Sequence, residues 1–425
     1  MSLPHPQDVY LASHSSVYGV GGGVTVTEQL AAVFEQRGYR SLMLGVGESA
    51  IPAAELNPNV RRLNLRISTP SRLWRLRNWV MPRTLARTLS ELPSPHVAFV
   101  GVNPLWIIAA KRAWPDVSVI YLFVALLSNC QPFTWPKRRP TLWQRVDYAA
   151  IRRAEHRALA LADRIIVPTR QARDELEAFH PASRERINVC SYGARTRLVD
   201  AAARARTRAE LGLSDGAVLV LAVGVCNRNK GFDLAIRAMP SVDARGHLVV
   251  IGDGPERENL AHLANETQVA DRVRLVGLQP DLDSWYAAAD CVLSTSSYDT
   301  FPYVILDGMS CGLPAVVPRH APPNVYAGLA EIITDHGGGV LYDRERDGAL
   351  AACLNSIIRD PESRASLGSQ ALAFARRHLH WDRCADLILG MPGGSPAGTF
   401  EAEPDPAHAS ENVLVENVAG RSGRL

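Results

Sequence analysis

Short apolar runs alternate with stretches of helical period along the first 390 residues. Residues 8–12 form one such run, and a glycine-rich loop follows. Val26, Leu30, Val33 and Phe34 then recur on one helical face, which predicts a helix over about residues 24–37, closed by Gly38. Residues 41–46, 96–102, 117–124 and 164–168 read as further strands, each bounded by turn or helix signals. Asn103 and Pro104 mark a helix start, the first as cap and the second at the first helical position.

The pattern repeats after residue 216. Residues 217–225, 247–252, 272–277, 291–294, 315–318 and 339–342 are apolar runs separated by helical stretches. Strands alternating with helices predict parallel sheets covered on both faces, an α/β fold. The periodicity lapses into arginines and small residues over 192–215, which reads as a linker. The expected organisation is therefore a Rossmann-like unit over 1–200, a second over 201–390, and a tail over 391–425. That tail, rich in Gly, Pro, Ala and acids, is expected to be disordered. Open parallel sheets bind ligands beyond the carboxyl ends of their strands, so two facing sheets make a cleft between them.

A chain of 425 residues suits two domains, and 47% apolar with 21% charged residues is ordinary for a globular protein. The N-terminus lacks the charged and apolar regions of a signal peptide, and no uninterrupted apolar run is long enough to span a bilayer. Seven scattered cysteines, none in a C-x-x-C pair, suggest neither a disulfide framework nor a zinc site, and fit a reducing cytoplasm. The net charge of +3 hides an asymmetry: residues 1–200 hold 26 Lys and Arg against 15 Asp and Glu, and the rest is acidic.

Three segments carry chemistry. In residues 19–23, GVGGG, glycines at a strand-to-helix turn let backbone amides approach a phosphate at the helix's positive end. The spacing departs from G-x-G-x-x-G because Val24 holds the last position, which weakens a nicotinamide reading even with Glu48 beyond the second strand. In residues 223–239 a strand leaves through Gly224 into a loop bearing Arg228 and Lys230, cations suited to a leaving diphosphate. In residues 298–314, YDTFPYVILDGMSCGLP, Asp299 and Asp307 stand eight apart at a loop and a helix start, suited to sugar and ribose hydroxyls.

With Lys230-Gly231, Gly252-Asp253-Gly254-Pro255 and the 298–314 frame in this order, the chain resembles the retaining glycosyltransferases of the GT-B fold, the family-four or "glycosyl transferases group 1" type, over about residues 8–388. The resemblance implies two Rossmann-like domains facing across a cleft, a nucleotide-diphosphate sugar as donor, and metal-independent transfer with retention. The acceptor would be a glycan, a lipid-linked sugar or a small molecule. It implies that Lys230 binds the donor diphosphate and that Asp299 and Asp307 stand where relatives carry two glutamates, for the donor sugar and the ribose. Asp299, Lys230 and Arg228 would be the catalytic groups. Gly22, Gly23, Gly224, Thr300, Phe301, Pro302 and Tyr303 would complete the donor site, largely through backbone. A histidine that relatives carry near a mid-domain strand end has no counterpart in residues 121–129. Two rival readings share the architecture: a nucleotide-sugar epimerase, and a non-catalytic nucleotide-sugar-binding homologue.

Asp281 and Asp283 imitate a D-x-D metal motif but stand at a helix start, where Asp caps, so no metal site and no cofactor are expected. Residues 61–87 hold eight arginines, Trp74 and Trp79 and no acid, and residues 137–145 add a second basic patch. No nucleic-acid module accompanies them, so the partner expected for this face is an anionic membrane surface at the inner side of the membrane, or solvent.

Overall fold

The computed structural model describes residues 8–13, 22–46, 61–65, 77–129, 141–195 and 200–391. The turn residues Gly19 to Gly21, Glu48, Trp74, residues 137–139 and the tail after Met391 lie outside that set.

The amino-terminal half is built on a parallel sheet of Asp8–Ala12 (β1), Arg40–Val46 (β2), Arg61–Leu65 (β3), Ala98–Gly101 (β4), Val119–Leu122 (β5), Arg164–Val167 (β6) and Ile187–Val189 (β7). Its order is β3-β2-β1-β4-β5-β6-β7. The second half repeats the topology with Val218–Val223 (β8), Gly246–Ile251 (β9), Val273–Gly277 (β10), Cys291–Leu293 (β11), Ala315–Pro318 (β13) and Gly339–Tyr342 (β15), in the order β10-β9-β8-β11-β13-β15. A two-stranded parallel ribbon, Tyr298–Asp299 (β12) with Tyr326–Ala327 (β14), sits apart from both. In each sheet the strand order reverses beside the first strand, between β1 and β4 and between β8 and β11, the crevice where open α/β sheets hold ligands.

The apolar runs became strands because both faces of each sheet are covered: Val9, Leu11, Val100, Ile120, Val220 and Leu221 are at most 1% exposed. Asn103 caps the helix Pro104–Ala113, its side chain accepting from the Leu105 amide at 2.9 Å. The first helix starts two residues earlier than periodicity indicates, at Gly22.

Two expectations need correction. The stretch read as linker contains a helix, Ala201–Glu210, fixed to the second sheet. Arg204 bonds Asp290 at 2.6 Å and the carbonyls of Ala287, Ala288 and Ala289, and Arg208 bonds Asp290 at 2.9 Å. The same carboxylate accepts the Leu219 amide of β8 at 2.7 Å. These arginines therefore tie structure together, which a scan for apolar periodicity cannot reveal. The basic run is likewise not all surface: residues 61–65 form β3, and Arg62, with its side chain 6% exposed, bonds Glu28 at 2.6 Å.

The two halves share one core. The last helix, Trp381–Leu389, lies on the first, Gly22–Gln36, where Arg37 bonds Asp382 and Asp386 at 2.7 and 2.6 Å and Trp381 donates to Gln29 at 2.7 Å. Tyr192 stacks on Trp381 with ring centres 5.8 Å apart and meets Phe301 edge-on at 5.5 Å. Gly193 is required there, since a Cβ would fall 2.2 Å from the Trp381 ring.

Candidate donor site

The site lies where β8 and β11 diverge. The chain leaves β8 through Gly224, with φ of +156°, and the stem of Lys230 folds back over it so closely that a Cβ would stand 3.2 Å from Lys230 Cε. The loop is held from both sides. Asn227 accepts the Lys230 amide at 3.0 Å, and Thr295 donates to the Lys230 carbonyl at 2.7 Å. Asn229 pairs with the Tyr298 backbone as a third strand would, accepting its amide and donating to its carbonyl, both at 3.0 Å. The Gly252–Gly254 turn docks on the same loop: Cys226 donates to Asp253 O at 2.9 Å, and a Cβ on Gly254 would fall 2.6 Å from Cys226 O.

This frame delivers Lys230 Nζ to Asp299 Oδ2 at 2.6 Å, with side chains 23% and 18% exposed. Two residues singled out from sequence thus meet as an ion pair open to the cleft. Arg228 takes a different direction, its Nε 3.4 Å from Glu256 beyond the glycine turn.

Thr300, Phe301, Pro302 and Tyr303 follow Asp299 directly. Thr300 donates to Val124 O in the amino-terminal half, and the rings of Phe301 and Tyr303 are buried against Tyr192. The Thr300 hydroxyl and the Phe301 and Tyr303 rings are thus occupied, so these three residues offer a ligand mainly backbone, while Pro302 lines a small cavity beside Asp299. Pro302 caps the helix Tyr303–Ser310, whose first amides have no partner within the helix. Asp307, 7% exposed on that helix, accepts the Arg195 amide at 3.2 Å. Gly22 and Gly23 open the helix Gly22–Gln36.

Asp281 accepts the Asp283 amide at 2.8 Å, the geometry of a helix start. Sequence reasoning missed Asn229, Glu175 and Glu331. Glu331, on the helix Leu329–His336, accepts the amides of Arg170 and Gln171 at 2.9 Å each. Glu175 accepts from Asn129 at 2.6 Å and lies 3.1 Å from the Tyr298 hydroxyl, and burial pushes its carboxyl up to about 7. Glu175 and Glu331 sit in segments that read as solvated helix faces and Asn229 in a polar loop, and no local signal marks their distant partners.

Among the described residues no helix is long and apolar enough to cross a membrane.

Comparison with known proteins agrees with this architecture. The family described as "Glycosyl transferases group 1" matches residues 203–374, and the "Glycosyl transferase 4-like domain" matches residues 21–193. A D-inositol 3-phosphate glycosyltransferase of Acidothermus cellulolyticus is 32% identical over 248 residues, 55% of this chain and 53% of that protein. The chain thus spans about half the length of the curated relatives it matches. Sucrose-phosphate synthase from Thermosynechococcus elongatus shares the fold at a TM-score of 0.73 and 20% identity, over 90% of this chain and 97% of that one. HepE of Anabaena, solved in complex with UDP-glucose, does so at 0.69 and 17%, over 90% and 98%. Two facing Rossmann-like sheets, the matched segments in both halves and the order of the motifs place this chain in the glycosyl transferases group 1 family, with the GT-B fold.

Proposed function

We propose that the protein is a glycosyltransferase that moves a sugar from a nucleotide-diphosphate donor to an acceptor with retention of configuration and without a metal ion. The observation that carries this reading is the Lys230 ammonium, held by its loop and by Asp299 at the open edge of the second sheet. In this reading Lys230 neutralises the leaving diphosphate, with Arg228 as an outer cation. Asp299 contacts the donor sugar, Asp307 takes the ribose, and the first amides of the helices Tyr303–Ser310 and Gly22–Gln36 meet the sugar and the phosphate. The leaving phosphate oxygen can accept the acceptor's proton, so no dedicated base is needed.

The domain division proposed is 1–200 and 201–390, the acceptor on the first and the donor on the second. The relatives are named as transferases, which gives the epimerase alternative no support. UDP is the probe of choice because HepE is solved with it. Calorimetry of UDP binding tests the site: Lys230→Ala should weaken it by about 1.5–3 kcal/mol, and unchanged affinity would remove Lys230 from the site.

A peripheral contact with anionic membrane on the cytoplasmic side belongs to the same proposal. Leu142 and Trp143 are 73% and 49% exposed at the start of the helix Leu142–Leu161, beside the exposed Arg145. Arg83 and Arg87 are exposed on the helix Arg77–Ser90.

A further inference from the structure

Asp299 is the middle of three consecutive residues whose neighbours both reach across to the amino-terminal half. On one side the Tyr298 hydroxyl accepts the Leu126 amide at 3.0 Å and stands 3.1 Å from both oxygens of Glu175. On the other side Thr300 donates to Val124 O. Glu175 belongs to the helix Arg170–Phe179, and its carboxylate is fixed from behind by Asn129 at 2.6 Å. That helix is itself tied to the second half at its start, where Glu331 takes two of its amides and Asp335 bonds Arg170.

The backbone of Tyr298 is in turn bonded to Asn229, the residue before Lys230. The cation and its carboxylate are therefore gripped from the second half by Asn229 and from the first by segment 124–126 with Glu175. Separating the two halves would break the second grip and leave the first.

We propose that Tyr298 and Glu175 are positioning residues: they clamp Asp299, and through it Lys230, only when the two halves are together, so that the cation is set for the diphosphate by the closed arrangement. The role rests on the reading of Lys230 as the diphosphate partner; the clamp itself does not.

Tyr298→Phe removes the hydroxyl and keeps the ring against Tyr326. Hydrogen exchange in the unliganded protein reads the clamp alone: the Leu126 amide should exchange at least tenfold faster in the variant. UDP calorimetry reads the role: Tyr298→Phe should weaken UDP about fivefold, and should add nothing in a Lys230→Ala background, because it acts through that ammonium. Glu175→Leu should match Tyr298→Phe and serves in its place if that variant does not fold. Glu175→Gln, which can still accept from Asn129 and bond Tyr298, should stay within about twofold of the wild type. Unchanged exchange at Leu126 overturns the clamp. Faster exchange with full UDP affinity, or a loss that persists undiminished beside Lys230→Ala, overturns the positioning role. If Lys230→Ala alone leaves UDP binding intact, the reading of the site fails and the role with it, while the exchange rate still decides the clamp.

Discussion

Lys230 Nζ and Asp299 Oδ2 stand 2.6 Å apart although 69 residues separate them in sequence. The ammonium is thus paired before any anion arrives. A diphosphate entering the cleft must share that cation with a carboxylate, so Asp299 orients the charge and also competes for it.

The competition has a measurable sign. Asp299→Asn keeps an oxygen that can accept from the Lys230 ammonium, so the cation stays oriented, and removes the charge that competes for it. UDP should bind the variant at least as tightly as the wild type, while glycosyl transfer falls by about tenfold or more because the sugar loses its partner. Weaker UDP binding in the variant would mean that Asp299 supports the cation more than it opposes the ligand.

Asp290 predicts a stability effect far from the cleft. It joins Arg204, Arg208 and the Leu219 amide, with its own side chain 11% exposed. Asp290→Ala leaves two guanidinium groups and a strand amide without this acceptor, at a cost of about 2–4 kcal/mol. Denaturant unfolding reads it, and a loss under 1 kcal/mol would show that the helix Ala201–Glu210 is held by other contacts.

Glu175 predicts a pH dependence. Its carboxyl keeps a proton up to about 7 in the fold, against an ordinary value near 4.5. Between those values the folded chain binds the extra proton, so this group's contribution to stability falls as pH rises, by about 1–3 kcal/mol across the window. His378, held down to about 4 by burial and by neighbouring His336 and Arg377, works in the opposite direction over about pH 4–6.5. The informative quantity is therefore the difference between the wild type and Glu175→Gln: the variant should gain relative stability from pH 4.5 to 7 and hold it above. A difference independent of pH would place the carboxyl at its ordinary value.

The exposed Leu142 and Trp143, with arginines on the same half, predict binding to vesicles of anionic lipid at low ionic strength. Each basic residue near such a surface contributes about 1 kcal/mol and fades with salt. Flotation decides it: recovery in the soluble fraction with anionic vesicles assigns this face to solvent or to a soluble acceptor.

Sequence made the sheets legible because buried parallel strands must be apolar; it made Lys230 legible because it lies in a glycine-flanked loop at a strand end, and Asp299 because it opens the 298–314 frame that closes on Gly312 and Pro314. The resemblance puts Thr300, Phe301 and Tyr303 beside the donor through their backbone; that the Thr300 hydroxyl turns to Val124 and the two rings to the shared core is visible only in the packing around Tyr192 and Trp381. Glu175, Glu331 and the arginines of residues 204–208 were not legible. Charge on a helix reads as a solvated face unless its partner is known, and Tyr298 lies 123 residues from Glu175.

The lodging of Trp381, Cys384 and Ile388 in one core with Val26, Leu30, Phe34 and Tyr192 bears on synthesis. A ribosome releases the chain from its first residue onward, so the amino-terminal sheet emerges with that apolar face uncovered. Its cover is translated almost two hundred residues later. For that interval the first half depends on chaperones to keep the face from other chains, and slower elongation lengthens the exposure. A nascent chain halted before Trp381 should therefore be held by holdases and cleaved readily near Tyr192, whereas release after Leu389 should end both.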